Sequence, residues 1–247
     1  MYNGKQVSVV FATYREKNSI KQVIEGFFAS GFVDEIIVVN NNAEAGTVEE
    51  VQKTKAKMVY ESRQGYGYAF QKGIEEARGD YIILCEPDDT YMGSDLERFL
   101  VYAKSGFDAV LGTRTGQSTS ISGADMDFLR KWANVFEAKT IELLFNTNAL
   151  SDIGCTYKLF KKESLHKLSQ LWQTRNSLFA TELTLLTASE KIHFIEIPIT
   201  FKKRVGTSAF VSTFAKLAKW GLLVYVLIFL FWGRWILQKI GLRKRRI

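Results

Sequence analysis

The chain has 247 residues, 47% of them hydrophobic, with two prolines, two cysteines and a formal net charge of +7. That length holds one large α/β domain or two small ones, each with a real core. Cys85 and Cys155 have no ligand-pair spacing, which excludes a disulfide framework and makes a reducing compartment the default. The charge is unevenly placed: no acidic residue follows Glu196, eleven basic groups lie between Phe201 and Ile247, and the first 200 residues hold 22 basic and 26 acidic ones. A mildly acidic body with a basic tail is not a nucleic-acid-binding pattern, because the tail's charges are separated by long apolar runs. The opening "MYNGKQVSVVFATY" has one lysine before a short apolar run, so no signal peptide is predicted.

In chain order, "VSVVFA" (Val7–Ala12) reads as a buried strand. The following "EKNSIKQVIEGFFAS" places Ile20, Val23, Ile24 and Phe27 on one helical face, and Gly31 stops it. "EIIVVN" (Glu35–Asn40) is a second strand, "TVEEVQKT" a short helix and "KMVYE" (Lys57–Glu61) a third strand. Tyr66–Ala77 is helical, ends at Gly79 and feeds the strand "YIILC" (Tyr81–Cys85). "SDLERFLVYAK" is a helix with Ser94 as its N-cap, and "FDAVLGTR" (Phe107–Arg114) a fifth strand. Repeated β-α-β with near-continuous apolar strands predicts a mostly parallel sheet covered on both faces.

The aromatics of "DMDFLRKWANVFEAKTIELLF" recur at helical spacing, which reads first as core and second as a groove for a lipid tail. The end of the chain carries "WGLLVYVLIFLFWG" (Trp220–Gly233), uncharged, within an apolar stretch from Leu217 to Leu237 broken by Lys219 and Arg234. Trp220, Trp232 and Trp235 suit the headgroup level, and the basic run from Lys239 to Arg246 suits anionic lipids of a cytoplasmic leaflet. Membrane attachment is predicted, by a helix that either lies in the interface or spans.

In parallel sheets ligands bind beyond the C-terminal strand ends. The five loops there are all polar: "TYRE", "NNNAEAGT", "ESRQGYG", "EPDDT" and "TRTG". The fourth loop sets Glu86, Asp88 and Asp89 around Pro87, directly after an apolar strand. A solubilising surface turn is one explanation. A divalent cation is the better one at this edge, since Glu86 and Asp88, two residues apart in extended chain, can share an ion. Oxygen-only ligands point to Mg²⁺ or Mn²⁺ completed by substrate phosphates. No Gly-x-x-x-x-Gly-Lys-Ser/Thr loop is present, no Gly-x-Gly-x-x-Gly follows the first strand, and Gly65–Tyr66–Gly67 is a lone Gly-x-Gly.

The motifs "FATYRE", "IIVVNNNAEAGT", "RQGYGYAFQKGIEEARGDYIILCEPDDTY", "FDAVLGTR", "SDIGCTYKLFKK" and "IEIPITFKKRVGTS" occur in this order from Val7 to Ser208. In this order they resemble the family 2 glycosyltransferases, nearest the dolichol- or polyprenyl-phosphate type. The resemblance implies an α/β GT-A nucleotide-diphospho-sugar transferase fold over residues 1–208, followed by a membrane-associating tail at 209–247. It places the family's Asp-x-Asp motif on Glu86–Pro87–Asp88, so that Glu86 and Asp88 hold the metal. Ala12, Tyr14, Glu16, Asn40 and Asn41 would contact the donor nucleotide, with Pro87 and Asp89 in the same substrate loop. Arg114 and Arg204 match phosphate-binding arginines, with Ser208 near the latter and Arg130 in the acceptor pocket. Arginine suits this task because its fork takes phosphate oxygens in pairs. Asp152 matches a position facing the active site.

Departures are also present. The family's usual "PTYNE" is "ATYRE", asparagines replace acidic residues after the second strand, and Glu86 replaces the first aspartate of the metal motif. The donor nucleotide is therefore open, UDP first and GDP second. A phosphate acceptor needs no protein base; a sugar hydroxyl does, and Asp152 or Asp89 is the candidate. His166 and His193 read as structural, and Cys155 as a packing residue. The expected partners are a nucleotide-sugar donor, a lipid-phosphate or lipid-linked acceptor and the membrane. Three other readings stay open: transfer to a lipid-linked saccharide, a sugar-1-phosphate nucleotidyltransferase, and an inactive membrane-anchored binding module.

Overall fold

The structure, a computed structural model, describes residues 1–116, 128–205 and 214–241. Strands β1 (Val7–Thr13), β2 (Glu35–Asn40), β3 (Lys57–Tyr60), β4 (Tyr81–Cys85) and β5 (Ala109–Thr113) lie where the apolar runs predict them. With β6 (Lys158–Lys161) and β7 (Phe194–Pro198) they form a seven-stranded sheet in the order β3-β2-β1-β4-β6-β5-β7. The β1–β2, β1–β4, β2–β3 and β5–β7 pairs are parallel. Only β6 runs the other way, antiparallel to both neighbours, with Ile82 opposite Phe160 and Val110 opposite Leu159. The chain turns back at β1: β2 and β3 build outward on one side, β4 and its successors on the other. That reversal opens a crevice between the loops that leave β1 and β4.

Alternation along the strands feeds two cores. Val9, Phe11, Ile36 and Val38 face α1 (Lys17–Ala29), α2 (Thr47–Gln52) and α4 (Leu96–Lys104). Val10, Ile37, Val39 and Leu84 face α3 (Tyr66–Glu76), α5 (Phe128–Phe145), α6 (Lys162–Ser169), α7 (Phe179–Ser189) and α8 (Phe214–Lys239). Gly31, at φ +78°, ends α1 as its sequence requires. Ser94 is not the cap of α4. It sits inside a 3-10 turn, Gly93–Asp95, and Asp95 takes the N-cap position. The Asp95 carboxylate is engaged elsewhere, by Arg98 at 2.5 Å and by the Thr200 amide at 2.6 Å.

Of the four aromatics of α5, only Phe145 is core. Phe128, Trp132 and Phe136 are 71%, 46% and 63% exposed, and the helix is anchored instead by Ala138, Ile141 and Phe145. Helix α8 is likewise divided. Val224, Leu227, Ile228 and Phe231, spaced i, i+3, i+4 and i+7, are buried against α5 and α7. At roughly 1.5–3 kcal/mol for each fully buried side chain, this face holds α8 on the domain. Its other side exposes Leu222, Leu223, Val226, Phe229 and Leu230. The helix has 26 residues, about 39 Å, and is long and apolar enough to cross a bilayer.

Candidate active site

A cavity of about 770 Å³ opens at the C-terminal ends of the strands. Every one of the five polar loops contributes to its wall: Tyr14 after β1, Asn41 after β2, Gly65 after β3, Glu86 after β4 and Arg114 after β5. Ala12, Glu16, Asp88, Arg130 and Arg204 line it as well. Asn40, Pro87, Asp89 and Asp152 stand behind the wall, and Ser208 lies outside the described residues.

The loops are braced before any ligand arrives. Glu16 folds back so that Oε2 accepts from the Tyr14 and Arg15 amides at 2.7 and 2.9 Å. Asn41 staples the second loop to the third: Nδ2 donates to the Glu61 and Arg63 carbonyls, both at 2.8 Å, and Oδ1 accepts from the Gly65 amide at 2.8 Å. An aspartate could not make the first two bonds, so asparagine here supplies loop geometry. Asn40 accepts from the Ala43 amide at 2.9 Å, and the Pro87 carbonyl accepts from Ser19 at 2.7 Å. Both are turn-forming contacts.

The lone Gly-x-Gly has a structural reason. A Cβ at Gly65 would come within 2.4 Å of the Arg175 carbonyl oxygen, and one at Gly67 within 2.8 Å of the Arg175 carbonyl carbon. The two glycines let the start of α3 press against the Thr174–Arg175 backbone, and the Gly67 amide bonds Arg175 O at 3.0 Å. That contact brings Asn176 and Ser177 to the cavity wall.

At the mouth of β4, Asp88 is buried and Glu86 half-buried. Tyr66 donates to Glu86 at 2.9 Å, and Thr90 donates to Asp88 through its amide at 3.0 Å and through its hydroxyl. Burial raises the proton affinity of both carboxyls; the Asp88 charge adds to this for Glu86, and Arg204 opposes it in each. The segment after β7 runs beside this loop, with the Lys202 amide on Thr90 O at 2.9 Å and the Val205 amide on Asp88 O at 3.0 Å. It thereby delivers Arg204, whose Nε is 3.1 Å from Asp88 and whose terminal nitrogen is 3.2 Å from Glu16. Asp89, in the left-handed region at φ +64°, pairs with Lys202 at 3.2 Å.

Two neighbouring carboxylates, one buried and one half-buried, that gain from positive charge fit a hard divalent cation. Among the described residues no cluster of three or more His, Cys, Asp or Glu side chains converges on one point. A cation at this pair would therefore take its other ligands from phosphate and water, as Mg²⁺ and Mn²⁺ do.

Asp152 occupies a different role from the one its sequence position suggests. It is fully buried beneath Arg114, accepting Nε at 2.8 Å, the terminal nitrogen at 2.9 Å and the Arg114 amide at 3.0 Å. Asn134 and the Gly154 amide take further contacts at 2.5 and 3.1 Å. Burial alone would raise its pKa, but Arg114 and Asn134 outweigh that and hold it down at about 2. A carboxylate so engaged aims the arginine and is ill placed to act as a base near neutral pH. His193 stacks on Phe107 at 4.4 Å and His166 lies in α6, so neither histidine lines the cavity. Cys85 and Cys155 are buried free thiols.

Several wall residues carry no signal in the sequence. Lys202 and Lys203 add to the three arginines, Tyr66 orients Glu86 and is itself bonded to Thr156, and Ala133, Asn134 and Glu137 bring α5 into the wall. The far side is closed by Leu217, Trp220, Gly221 and Val224 of α8.

Comparison with known proteins agrees with this architecture. The profile of glycosyl transferase family 2 matches residues 8–169. A dolichyl-phosphate hexose transferase of Haloferax volcanii is 25% identical over 207 residues, 83% of this chain and 86% of that protein. The low-salt glycan biosynthesis hexosyltransferase Agl6 of the same organism is 25% identical over 81% of this chain, which spans about half (48%) of that protein. Glucosyl-3-phosphoglycerate synthase of Mycobacterium tuberculosis, solved with Mn²⁺ and UDP-glucose, superposes with a TM-score of 0.72 at 16% identity, covering 93% of this chain and 80% of that one. The seven-stranded GT-A sheet, the acidic pair at its reversal point and the matched profile lead to one assignment: the chain belongs to glycosyl transferase family 2 and is a nucleotide-sugar-dependent glycosyltransferase.

Proposed function

We propose that the protein transfers a hexose from a nucleotide-diphospho-sugar, UDP-linked before GDP-linked, to a polyprenyl phosphate at a membrane surface. The observation that carries this reading is one continuous cavity. It has the Glu86–Asp88 pair and Arg114, Arg130, Lys202, Lys203 and Arg204 on its wall, and it ends on the helix with an apolar outer face. The dolichyl-phosphate hexose transferase likeness supports a lipid-phosphate acceptor.

Glu86 and Asp88 would hold Mg²⁺ or Mn²⁺, which supplies charge neutralisation of the donor diphosphate. Tyr14, Glu16 and Asn41 shape the end of the cavity suited to the nucleoside, with Ala12 at its floor. The acceptor phosphate oxygen attacks the anomeric carbon, and the bond from that carbon to the diphosphate oxygen breaks. Negative charge then grows on the departing nucleoside diphosphate, where Arg204 and Lys202 stabilise it. Arg114, held rigid by Asp152, and Arg130 take the acceptor phosphate. A phosphate monoester is already ionised near neutral pH, which agrees with Asp152 being saturated by donors rather than poised as a base.

The membrane is approached by α5 and α8, which pack side by side and carry exposed Phe128, Trp132 and Phe136, and Leu222, Phe229 and Leu230, respectively. Because α8 spends one face on α5 and α7, lying in the interface suits it better than spanning. The cytoplasmic leaflet is the side on which a soluble nucleotide sugar is met. The test is transfer of radiolabelled hexose from UDP-glucose, UDP-N-acetylglucosamine or GDP-mannose to polyprenyl phosphate, with Mn²⁺, Mg²⁺ or a chelator. Metal-dependent labelling of the lipid is expected. Labelling that persists in chelator, or in Asp88→Ala protein, refutes the metal assignment. Labelling of a lipid-linked saccharide but not of polyprenyl phosphate refutes the acceptor.

A further inference from the structure

Among the described residues, Glu137 is the one acidic group of the cavity wall without a protein partner. It is 94% buried on α5 (6% exposed), and no hydrogen bond or ion pair reaches its carboxyl among the described residues. Burial alone pushes its pKa up, to about 7. Glu16, Glu86 and Asp88, the other carboxylates of the wall, each have protein donors. A mostly buried carboxyl that lines a cavity and takes no donor from the protein calls for an explanation.

The surroundings narrow what such a carboxyl receives. Arg130, Ala133, Asn134 and Glu137 line the cavity at i, i+3, i+4 and i+7, so one face of α5 forms this wall. Asn134, about one turn before Glu137, is fixed on Asp152 beside Arg114. Opposite stands Gly221 of α8, where an added Cβ would lie 3.6 Å from Glu137 Oε1. A glycine inside a helix is unfavourable by about 1 kcal/mol relative to alanine, and here it leaves open space over the carboxyl. Thr181 of α7, buried and on the same wall, also has a hydroxyl with no partner among the described residues.

A prenyl chain has no hydrogen to donate. An ionised phosphate has none either, and it repels the carboxyl in its ionised form. A sugar ring has hydroxyls that both donate to a carboxylate and accept from a threonine. We infer that Glu137, with Thr181, binds a hydroxyl of a hexose ring in the part of the cavity between α5, α7 and α8, and so helps set which sugar is accepted. This inference rests on the transferase reading above. The hexose is either the one carried by the donor or one already attached to a lipid acceptor.

The experiment uses the full chain in detergent, with Glu137→Leu and Glu137→Gln. Binding of UDP-glucose and of GDP-mannose is compared with that of UDP and GDP, KM is measured for polyprenyl phosphate and for hexosyl-polyprenyl phosphate, and Tm is read without ligand. The leucine variant is expected to keep or raise its ligand-free Tm, because the desolvation cost of a mostly buried carboxyl is gone. It is also expected to lose about tenfold or more in affinity for the sugar-bearing ligand, the weight of one hydrogen bond to a charged group. A weakened nucleotide sugar with an unchanged free nucleotide places the hexose on the donor. A raised KM for the hexosyl lipid alone places it on the acceptor. Glu137→Gln, which retains an acceptor oxygen, should lose less, and it carries the same comparisons if the leucine variant does not fold. Wild-type protein that binds none of the four nucleotides overturns the transferase reading and the inference with it. Wild-type binding with both variants within twofold of it on every ligand overturns the inference alone. So does a variant whose ligand-free Tm falls while its sugar discrimination is unchanged, since that marks a structural residue.

Discussion

Replacing Asp152 with alanine tests whether its role is to fix Arg114. Asp152 is fully buried and receives two guanidinium bonds at 2.8 and 2.9 Å. Removing one partner of such a pair leaves the other charge buried and unmatched, which costs about 3–5 kcal/mol. For a chain of this length that lowers Tm by roughly 6–20 °C. Protonating Asp152 is a milder perturbation, because a neutral carboxyl keeps some of its bonds. The change from the ordinary value of 3.8 to about 2 on folding corresponds to roughly 2.5 kcal/mol. Since folding lowers the pKa, this stabilisation is fully present above pH 4 and is lost as pH falls from about 4 towards 2. Urea unfolding of wild type and Asp152→Ala at pH 7, 5, 4 and 3 reads both effects: a gap of several kcal/mol at neutral pH that narrows below pH 4. The double variant Arg114→Met/Asp152→Leu removes both charges and should be more stable than Asp152→Ala, though inactive. Asp152→Ala protein as stable as wild type at pH 7 refutes the claim that Asp152 holds Arg114 in place.

Gly67→Val puts side-chain atoms where the Arg175 backbone already lies within 2.8 Å of an added Cβ. It should destabilise by about 1–3 kcal/mol and weaken donor binding, read by thermal melts and nucleotide titration. The two sides of α8 should separate cleanly. Leu227→Ala or Ile228→Ala, on the buried face, costs about 2–5 kcal/mol in urea unfolding. Phe229→Glu with Leu230→Glu, on the exposed face, leaves stability within about 1 kcal/mol but abolishes sedimentation with anionic vesicles. Vesicle binding unaffected by those two glutamates would refute the membrane assignment of that face.

Strands β1 to β5 were legible because each is an apolar run of strand length, and the rim loops followed from the rule that parallel strands present their C-terminal ends together. Strand β6 was not legible. "KLFK" is four residues long and half cationic, and only its place between β4 and β5 buries Lys158. Helix α7 was invisible for the opposite reason: every residue of "FATELTLLTAS" is buried, so no amphipathic period marks it. In α5 Phe128, Trp132 and Phe136 follow the helical period, yet they face outward while Ala138, Ile141 and Phe145 anchor the helix. Periodicity reports that a face is apolar and does not say what covers it. Asp152 and Glu137 show the same limit for charge. One is locked under an arginine and the other has no partner among the described residues, a difference fixed by residues distant in the chain.

Helix α8 is a partition: Leu217, Trp220 and Val224 look into the chamber where sugar chemistry would occur, while Leu222, Phe229 and Leu230 look away from the protein. A helix with its side chains is only about 10–12 Å across. If its outer side rests among lipids, a long-chain acceptor need never be lifted into water, and its head travels little more than the breadth of that single rod. Supply of one reactant then becomes lateral drift within a plane, while the other arrives from bulk solution through the opposite opening.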